Sequence, residues 1–519
     1  MGRQWKRIGF RHHHGIDVPL FSLHSKNSCG IGEFTDLIPL LNWCKEVGMD
    51  TIQLLPLNDT GPESSPYSAI SAFALNPIHL GLTVLPGVEK HPELLSQIKE
   101  LQKLTKSKRV DYQNVRPAKY LFFREYHHFE GQRIIESSHY QEFIESHPWI
   151  FGYALFKALK VSKRWRSWKE WEAFIRPPNQ ETFNRLCKEF SNEIHFHIFL
   201  QYLCFQQFQS VSDQAKEKGI FLKGDIPILI SPESADVWLR PEIFHMGYTA
   251  GSPPDMYTPD GQNWGSPIYN WSELKKRDFD WWRARLQVSQ PFYDICRLDH
   301  IIGFFRIWAI PPGEGAMAGR YLPEDRSTWL QHGEAILKMI AESTNMLSIG
   351  EDLGDIPDSV RDFMAKSGIC GTKVMRWERK GTTTGPFFPL DEYHPISMTT
   401  VSTHDSDTNH QWWKNSPDEV EELVTLKGWK YSPELTEEYQ FELLKDSHTS
   451  SSLFHINLLQ EYLTLFEELR WGDIDDERVN YPGTVSPINW SIRYKPSVEE
   501  ITTHRGLKEK IKALTSNNS

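Results

Sequence analysis

Four carboxylates close four separate apolar runs of this sequence: Asp225 in KGDIP, Asp299 in RLDH, Glu351 in IGEDLG and Asp405 in STHDSDT. Asp299 and Glu351 are 52 residues apart and Glu351 and Asp405 are 54 apart, each gap about one or two βα units of a barrel that carries insertions. Carboxylates that converge without Cys or paired-His ligands suit two chemistries, a hard-cation site or acid/base and nucleophilic work on a glycosidic bond. A retaining glycosidic mechanism needs one carboxylate as nucleophile and a second as acid/base. Arg297 precedes Asp299 by two residues, hence shares its strand face, and is expected to hold that carboxylate ionised at neutral pH. His300 and His404 are candidate donors to sugar hydroxyls. Any one of these residues alone reads as a structural ion pair; the set together points to function.

A second dense segment is GSPPDMYTPDGQNWGSPIYNW, residues 251–271. Its Gly, Pro, Asn and Asp content predicts no regular element, and it carries Tyr257, Trp264, Tyr269 and Trp271. A loop this long in a compact domain is usually functional, and aromatics with amides suit stacking on a polysaccharide. A tightly packed connector is the plain alternative.

The elements that would position these groups follow from periodicity. In 34–48 Phe34, Leu37, Ile38, Leu41 and Cys44 fall at helical spacing and Gly48 sits where the helix should stop. MDTIQLLPL then reads as a strand buried on both faces. The pattern recurs in GIFLKGDIPILI, YDICRLDH, NMLSIGED after the helical EAILKMIAES, GTKVMRW after PDSVRDFMAKSG, and SMTTVSTHD. Alternating helix and buried strand predicts an α/β protein with a parallel sheet, either doubly wound or closed as a (β/α)8 TIM barrel. No GxGxxG or GxxxxGK[ST] favours the nucleotide-binding versions. The expected organisation is one catalytic domain over 1–519, with insertions at about 88–215, 240–285 and 415–470, the first and last mainly helical.

Composition narrows the function class. Of the 519 residues, 39% are hydrophobic and 24% charged, which fits an ordinary globular protein; 13% aromatic, with 19 Trp, suits stacking on flat ligand faces. A net charge of −11 without a basic run argues against nucleic acid as a partner. No apolar run is long enough for a span, no signal core opens the chain, and six dispersed cysteines without CxxC suit a reducing cytoplasm. The triplet His12, His13 and His14 is the best support for a metal-dependent hydrolase, but three consecutive side chains cannot all face one ion on a regular element, which favours a packing or solvated role.

At the level of motifs the chain resembles the 4-α-glucanotransferases, or amylomaltases, of glycoside hydrolase family 77. RLDH resembles that family's nucleophile motif, EDLG its acid/base motif, THDSDT its third-carboxylate motif and 251–271 its active-site loop. FSLHSKNSCGIGEF, LLPLNDTGPESSPYSAISAFALNP, GDIPILISPESADVW and NYPGTVSPINW resemble its signatures elsewhere. The resemblance implies a TIM barrel with Asp299 as nucleophile, Glu351 as general acid/base and Asp405 as the carboxylate that fixes sugar hydroxyls. It further implies Asp225, Arg297, His300 and His404 at the donor sugar and Tyr67, Tyr257 and Trp264 on flanking glucose units. The implied substrates are maltooligosaccharides and α-1,4-glucans, with no metal or cofactor. Two departures, the short MGYT between PEIFH and AGSPPD and the variant GTKVMRWER, bear on chain-length preference. An amylase-type hydrolase and a non-catalytic glycan-binding barrel are the competing readings.

Overall fold

The computed structural model describes residues 2–254, 259–381 and 385–516. Its strands in chain order are β1 (His13–Val18), β2 (Thr51–Leu54), β3 (Phe221–Ile226), β4 (Phe244–Ser252), β5 (Gln262–Tyr269), β6 (Ile295–Leu298), β7 (Ile307–Ile310), β8 (Arg320–Leu322), β9 (Leu347–Gly350), β10 (Gly371–Val374), β11 (Ser397–Thr400) and β12 (Phe454–Leu458). Eight of them form one sheet, all parallel, in the order β10-β11-β12-β1-β2-β3-β6-β9. A bridge between Ile349 and Cys370 joins β9 to the start of β10 and closes the sheet into a (β/α)8 barrel. The strands are short and almost wholly buried because helices cover the outside and side chains fill the inside.

The barrel interior is layered. At the N-terminal end Ile295, Leu347, Ile349, Met398, Phe454 and Ile456 pack together, and the helix Arg3–Ile8 stoppers them with Trp5 and Ile8. Trp5 Nε1 donates to the Gly368 carbonyl at 2.7 Å, which seats the stopper. Polar side chains take over towards the C-terminal end, where the candidate carboxylates lie.

Between β2 and β3 come six α-helices of six residues or more, Pro92–Gln102, Tyr112–Ile135, Ser138–Ser146, Ile150–Ser162, Gln180–Glu189 and Ser191–Lys218. After β11 come Asn409–Asn415, Pro417–Lys427 and Glu437–Thr449. Two barrel strands lie where the sequence signals none. β1 is masked by its polar HHHGIDV text, and β12 falls inside the 415–470 stretch expected to be helical, a FHINL segment too short to stand out from its helical surroundings.

The 251–271 segment requires a correction. Gln262–Tyr269 is a regular strand, β5, antiparallel to β4, and a four-stranded sheet β5-β4-β7-β8 stands beside the barrel mouth. Cross-strand backbone pairing overrides the turn-rich composition, with register shifts between His245, Thr249 and Gly251 absorbing the irregularity. Tyr269 and Trp271 are not free to meet ligand: Tyr269 is buried, and both rings pack on Trp282. Tyr257 lies outside the described residues.

Candidate active site

Each candidate acid hangs from the C-terminal end of a barrel strand or just beyond it. Asp225 is on β3, opposite Arg297 on β6, and Asp299, Glu351 and Asp405 lie in the turns that follow β6, β9 and β11. The turn after β6 is bent sharply: His300 adopts a left-handed backbone (φ 42°, ψ 57°), a costly conformation for a residue with a side chain. That bend aims the His300 N–H at Glu351 Oε2, 2.9 Å away, while the Ile301 N–H meets the Glu351 carbonyl at 3.1 Å. Gly350 makes this approach feasible, since a Cβ there would lie 2.4 Å from the Ile301 side chain.

Arg297 is the hub. Its Nη1 lies 2.6 and 2.7 Å from the two Asp225 oxygens and 3.0 Å from Asp299 Oδ1, and its Nη2 lies 2.9 Å from Glu351 Oε2. Asp299 Oδ2 also accepts from the Ile228 N–H at 3.2 Å. The Asp225 side chain is fully covered and Arg297 nearly so, whereas Asp299, Glu351 and Asp405 retain 20%, 24% and 43% of their side-chain surface. A buried ion pair thus underlies three carboxylates that open to the groove.

A second group lies beside it. Tyr67 donates its hydroxyl to Asp225 Oδ2 at 2.6 Å and lies 3.0 Å from His404 Nε2, with the two rings stacked at 5.6 Å. His404 Nε2 is 3.3 Å from Asp405 Oδ2, and Asn480 Nδ2 donates to Asp405 Oδ1 at 2.6 Å. Trp490, also left-handed at φ 60°, packs its ring on both Tyr67 and His404. Trp264 meets His300 edge-to-face at 4.9 Å. Tyr67, Asp225, Trp264, Arg297, His300 and His404 therefore gather with the three acids.

Charge is distributed unevenly. Burial pushes Asp299 up to about 7, the nearby Glu351 and Asp225 carboxylates add to that, and Arg297 only partly offsets it. For Glu351 burial works upwards as well, but Arg297 and the His300 N–H hold it below the ordinary carboxylate range. Burial, with Arg297 shared among three carboxylates, thus leaves the expected ionisation of Asp299 at neutral pH only partly met. At the neighbouring pair burial opposes both charges, yet each stabilises the other: Asp405 falls to about 2 and His404 rises to about 9.

Three residues here escape the sequence reading. Asn480 and Trp490 lie in NYPGTVSPINW, whose side chains reach the site only through tertiary folding. Arg376, within the variant GTKVMRWER, donates to Ser406 Oγ at 2.9 Å and to the Asp407 carbonyl at 2.5 Å, bracing the turn that carries Asp405. The histidine triplet is elsewhere: His12 and His14 pair with His455 and His448, and among the described residues no three His, Cys, Asp or Glu side chains form a metal-holding group.

Comparison with known proteins agrees with this architecture. Residues 18–499 match the family model described as 4-alpha-glucanotransferase. A 4-alpha-glucanotransferase of Chlamydia pneumoniae is 44% identical over 503 residues, covering 96% of this chain and 95% of that one. One from Clostridium butyricum is 30% identical over 481 residues, with 90% and 94% covered. An amylomaltase from Streptococcus agalactiae, solved in complex with acarbose, superposes with a TM-score of 0.82 at 25% identity, over 98% of this chain and 99% of its own. The barrel, its carboxylate-lined mouth and these matches assign the chain to the 4-alpha-glucanotransferases of glycoside hydrolase family 77, enzymes that transfer glucan segments.

Proposed function

We propose that the chain cuts and rejoins α-1,4-glucans, maltooligosaccharides among them, by double displacement with retained configuration, acting as a single catalytic barrel whose insertions at about 88–215, 240–285 and 415–470 brace the groove. Asp299 attacks the anomeric carbon and Glu351 gives its proton to the leaving glycosidic oxygen, which leaves a covalent glucosyl-enzyme. Glu351 then removes the proton from the 4-hydroxyl of an incoming chain, whose oxygen displaces Asp299. Asp405, held by His404 and Asn480, accepts from the donor sugar's hydroxyls. Arg297 offsets the negative charge that returns to Asp299 on departure.

The observation that carries this reading is a single guanidinium bridging Asp299 and Glu351, which sets nucleophile and acid/base beside one reacting centre. Arg297 lowers both carboxylates, and the first step needs Asp299 ionised and the proton on Glu351. Tyr67, Trp264 and Tyr257 are read as aromatic contacts for flanking glucose units. Retention of the acceptor on these rings favours transfer over hydrolysis, because an ordered hydroxyl competes with water for the intermediate. Six free cysteines, five of them buried, suit a cytoplasmic location.

Maltotriose alone tests the proposal. Wild type should build a ladder of longer oligosaccharides while total reducing ends stay constant; rising reducing ends would mean hydrolysis, and no change would mean a binding protein. D299N should abolish the ladder with the circular dichroism spectrum unchanged, and E351Q should slow it by about 10²–10⁴-fold. An active D299N enzyme would remove Asp299 as the nucleophile.

A further inference from the structure

Behind the barrel wall lies a polar cluster that takes no part in the chemistry described so far. The helix Asp280–Ser289 carries Trp281, Trp282 and Arg285, and the Arg285 guanidinium lies 5.5 and 5.1 Å from the centres of the two indole rings. Separations of three and four residues bring both tryptophans to the arginine on one face of the helix. Tyr269, at the end of β5 and too deep to meet a glucan, packs its ring on the same tryptophans at 5.7 and 5.5 Å. Arg285, Trp282 and Tyr269 are 2%, 0% and 5% exposed.

Each of these three residues holds a donor with nothing to donate to. Arg285 Nη1, Trp282 Nε1 and the Tyr269 hydroxyl are buried without a hydrogen-bond partner, and among the described residues no carboxylate pairs with the guanidinium. Burial drives Arg285 below the ordinary guanidinium range, against the pull of Tyr269, Asp236, Asp299 and Asp225. The three acids are committed elsewhere. Asp236 accepts from Trp281 Nε1 at 2.9 Å and from the Ala72 N–H at 3.0 Å, Asp225 faces Arg297 and the Tyr67 hydroxyl, and Asp299 faces Arg297 and the Ile228 N–H. An arginine keeps its proton in a protein, and a buried charge is costly unless it is paired.

Arg285 also lines a cavity of about 20 Å³ between this helix and β3, with Asn58, Phe73, Asp225, Ser289 and Phe292 among its walls. That is room for one water-sized guest. Water would accept from the donors but would bring no charge. A doubly charged anion would be too large and would need more than one cation.

We propose that Arg285 is the centre of a buried anion site, with the Tyr269 hydroxyl and the Trp282 indole N–H as its neutral donors, and that its ligand is one small monovalent halide such as chloride. Bound there, the anion neutralises the guanidinium and stabilises the folded chain by mass action.

The test exchanges chloride for methanesulfonate, an anion too large for the cavity, at constant ionic strength. The melting temperature of the wild type should be about 1–3 °C higher in chloride at saturating concentration. R285M should lose this difference and Y269F should keep only part of it, so Y269F serves where R285M folds poorly. Crystals of the wild type grown in bromide should show an anomalous peak within hydrogen-bond reach of the Arg285 guanidinium. A wild type indifferent to the exchange, a difference that persists in full in R285M, or bromide crystals without a peak at Arg285 would each overturn the site and leave the three donors to water.

Discussion

At the C-terminal mouth of the barrel His404 lies 3.3 Å from Asp405 and rises to about 9; at the opposite end His14 lies 2.8 Å from His448 and falls to about 4. Burial drives both imidazoles towards the neutral form. At the mouth a carboxylate in contact reverses the sign; at the other end Asp50 pairs with His13 and Arg11 and only partly offsets the burial of His14, while His12 meets His455, His448 meets the Tyr462 hydroxyl, and His455 meets the Ser447 carbonyl. His448 and His455 are likewise driven well below the usual histidine range by burial. One residue type thus serves as a buried cation in a polar mouth and as a neutral stacking ring at a structural seam, according to the nearest charge.

The comparison breaks most completely if Arg297 is removed. R297M leaves Asp225, Asp299 and Glu351 without their shared cation, and transfer should fall by at least about 10³-fold, with a stability cost of about 3–5 kcal/mol. R297K should recover little, because one ammonium cannot span both Asp299 and Glu351 as the two guanidinium nitrogens do. Maltotriose turnover and urea denaturation measure the two effects.

Dependence of stability on pH sharpens the contrast. His404 titrates higher in the folded protein than in the unfolded chain, so its contribution is fully present below about 6.5 and is lost as pH rises through about 9. His14 titrates lower when folded, so its contribution is present above about 6.5 and is lost as pH falls towards about 4. Each is worth at most about 3 kcal/mol. Melting temperatures of H404Q should therefore flatten the alkaline side of the stability curve, which H14Q leaves unchanged, and those of H14Q the acid side between about 6.5 and about 4; an alkaline side flattened by H14Q as well would break the distinction. The smallest effect belongs to Y67F, which loses the hydroxyl contacts to Asp225 and His404 while keeping the stacked ring. Its kcat/KM should drop by about 3–10-fold with the melting temperature little changed.

Much of the mouth is legible in the sequence because a parallel barrel converts strand ends into one surface. Asp225, Asp299, Glu351 and Asp405 each follow a buried run, and locating the runs locates the acids. What the text hides is pairing at a distance. β1 carries histidines that are polar on paper and buried in fact, β12 is enclosed by helices, and β5 is made regular by its partner strand despite Gly and Pro. Asn480, Trp490 and Arg376 belong to the site only because distant segments close over it. The sharing of Arg297 by three carboxylates, Asp299 among them, is likewise a property of the assembled mouth.

The pairing of β1 with β12 has a consequence for how the chain is made. The first barrel strand has β2 on one side from early in synthesis, but its other edge stays open until Phe454–Leu458 leaves the ribosome. The stopper helix waits too, since Trp5 and Ile8 rest partly on Phe454 and Ile456. Folding is therefore dominated by late, long-range closure, a slow route that leaves an adhesive strand edge in the nascent chain.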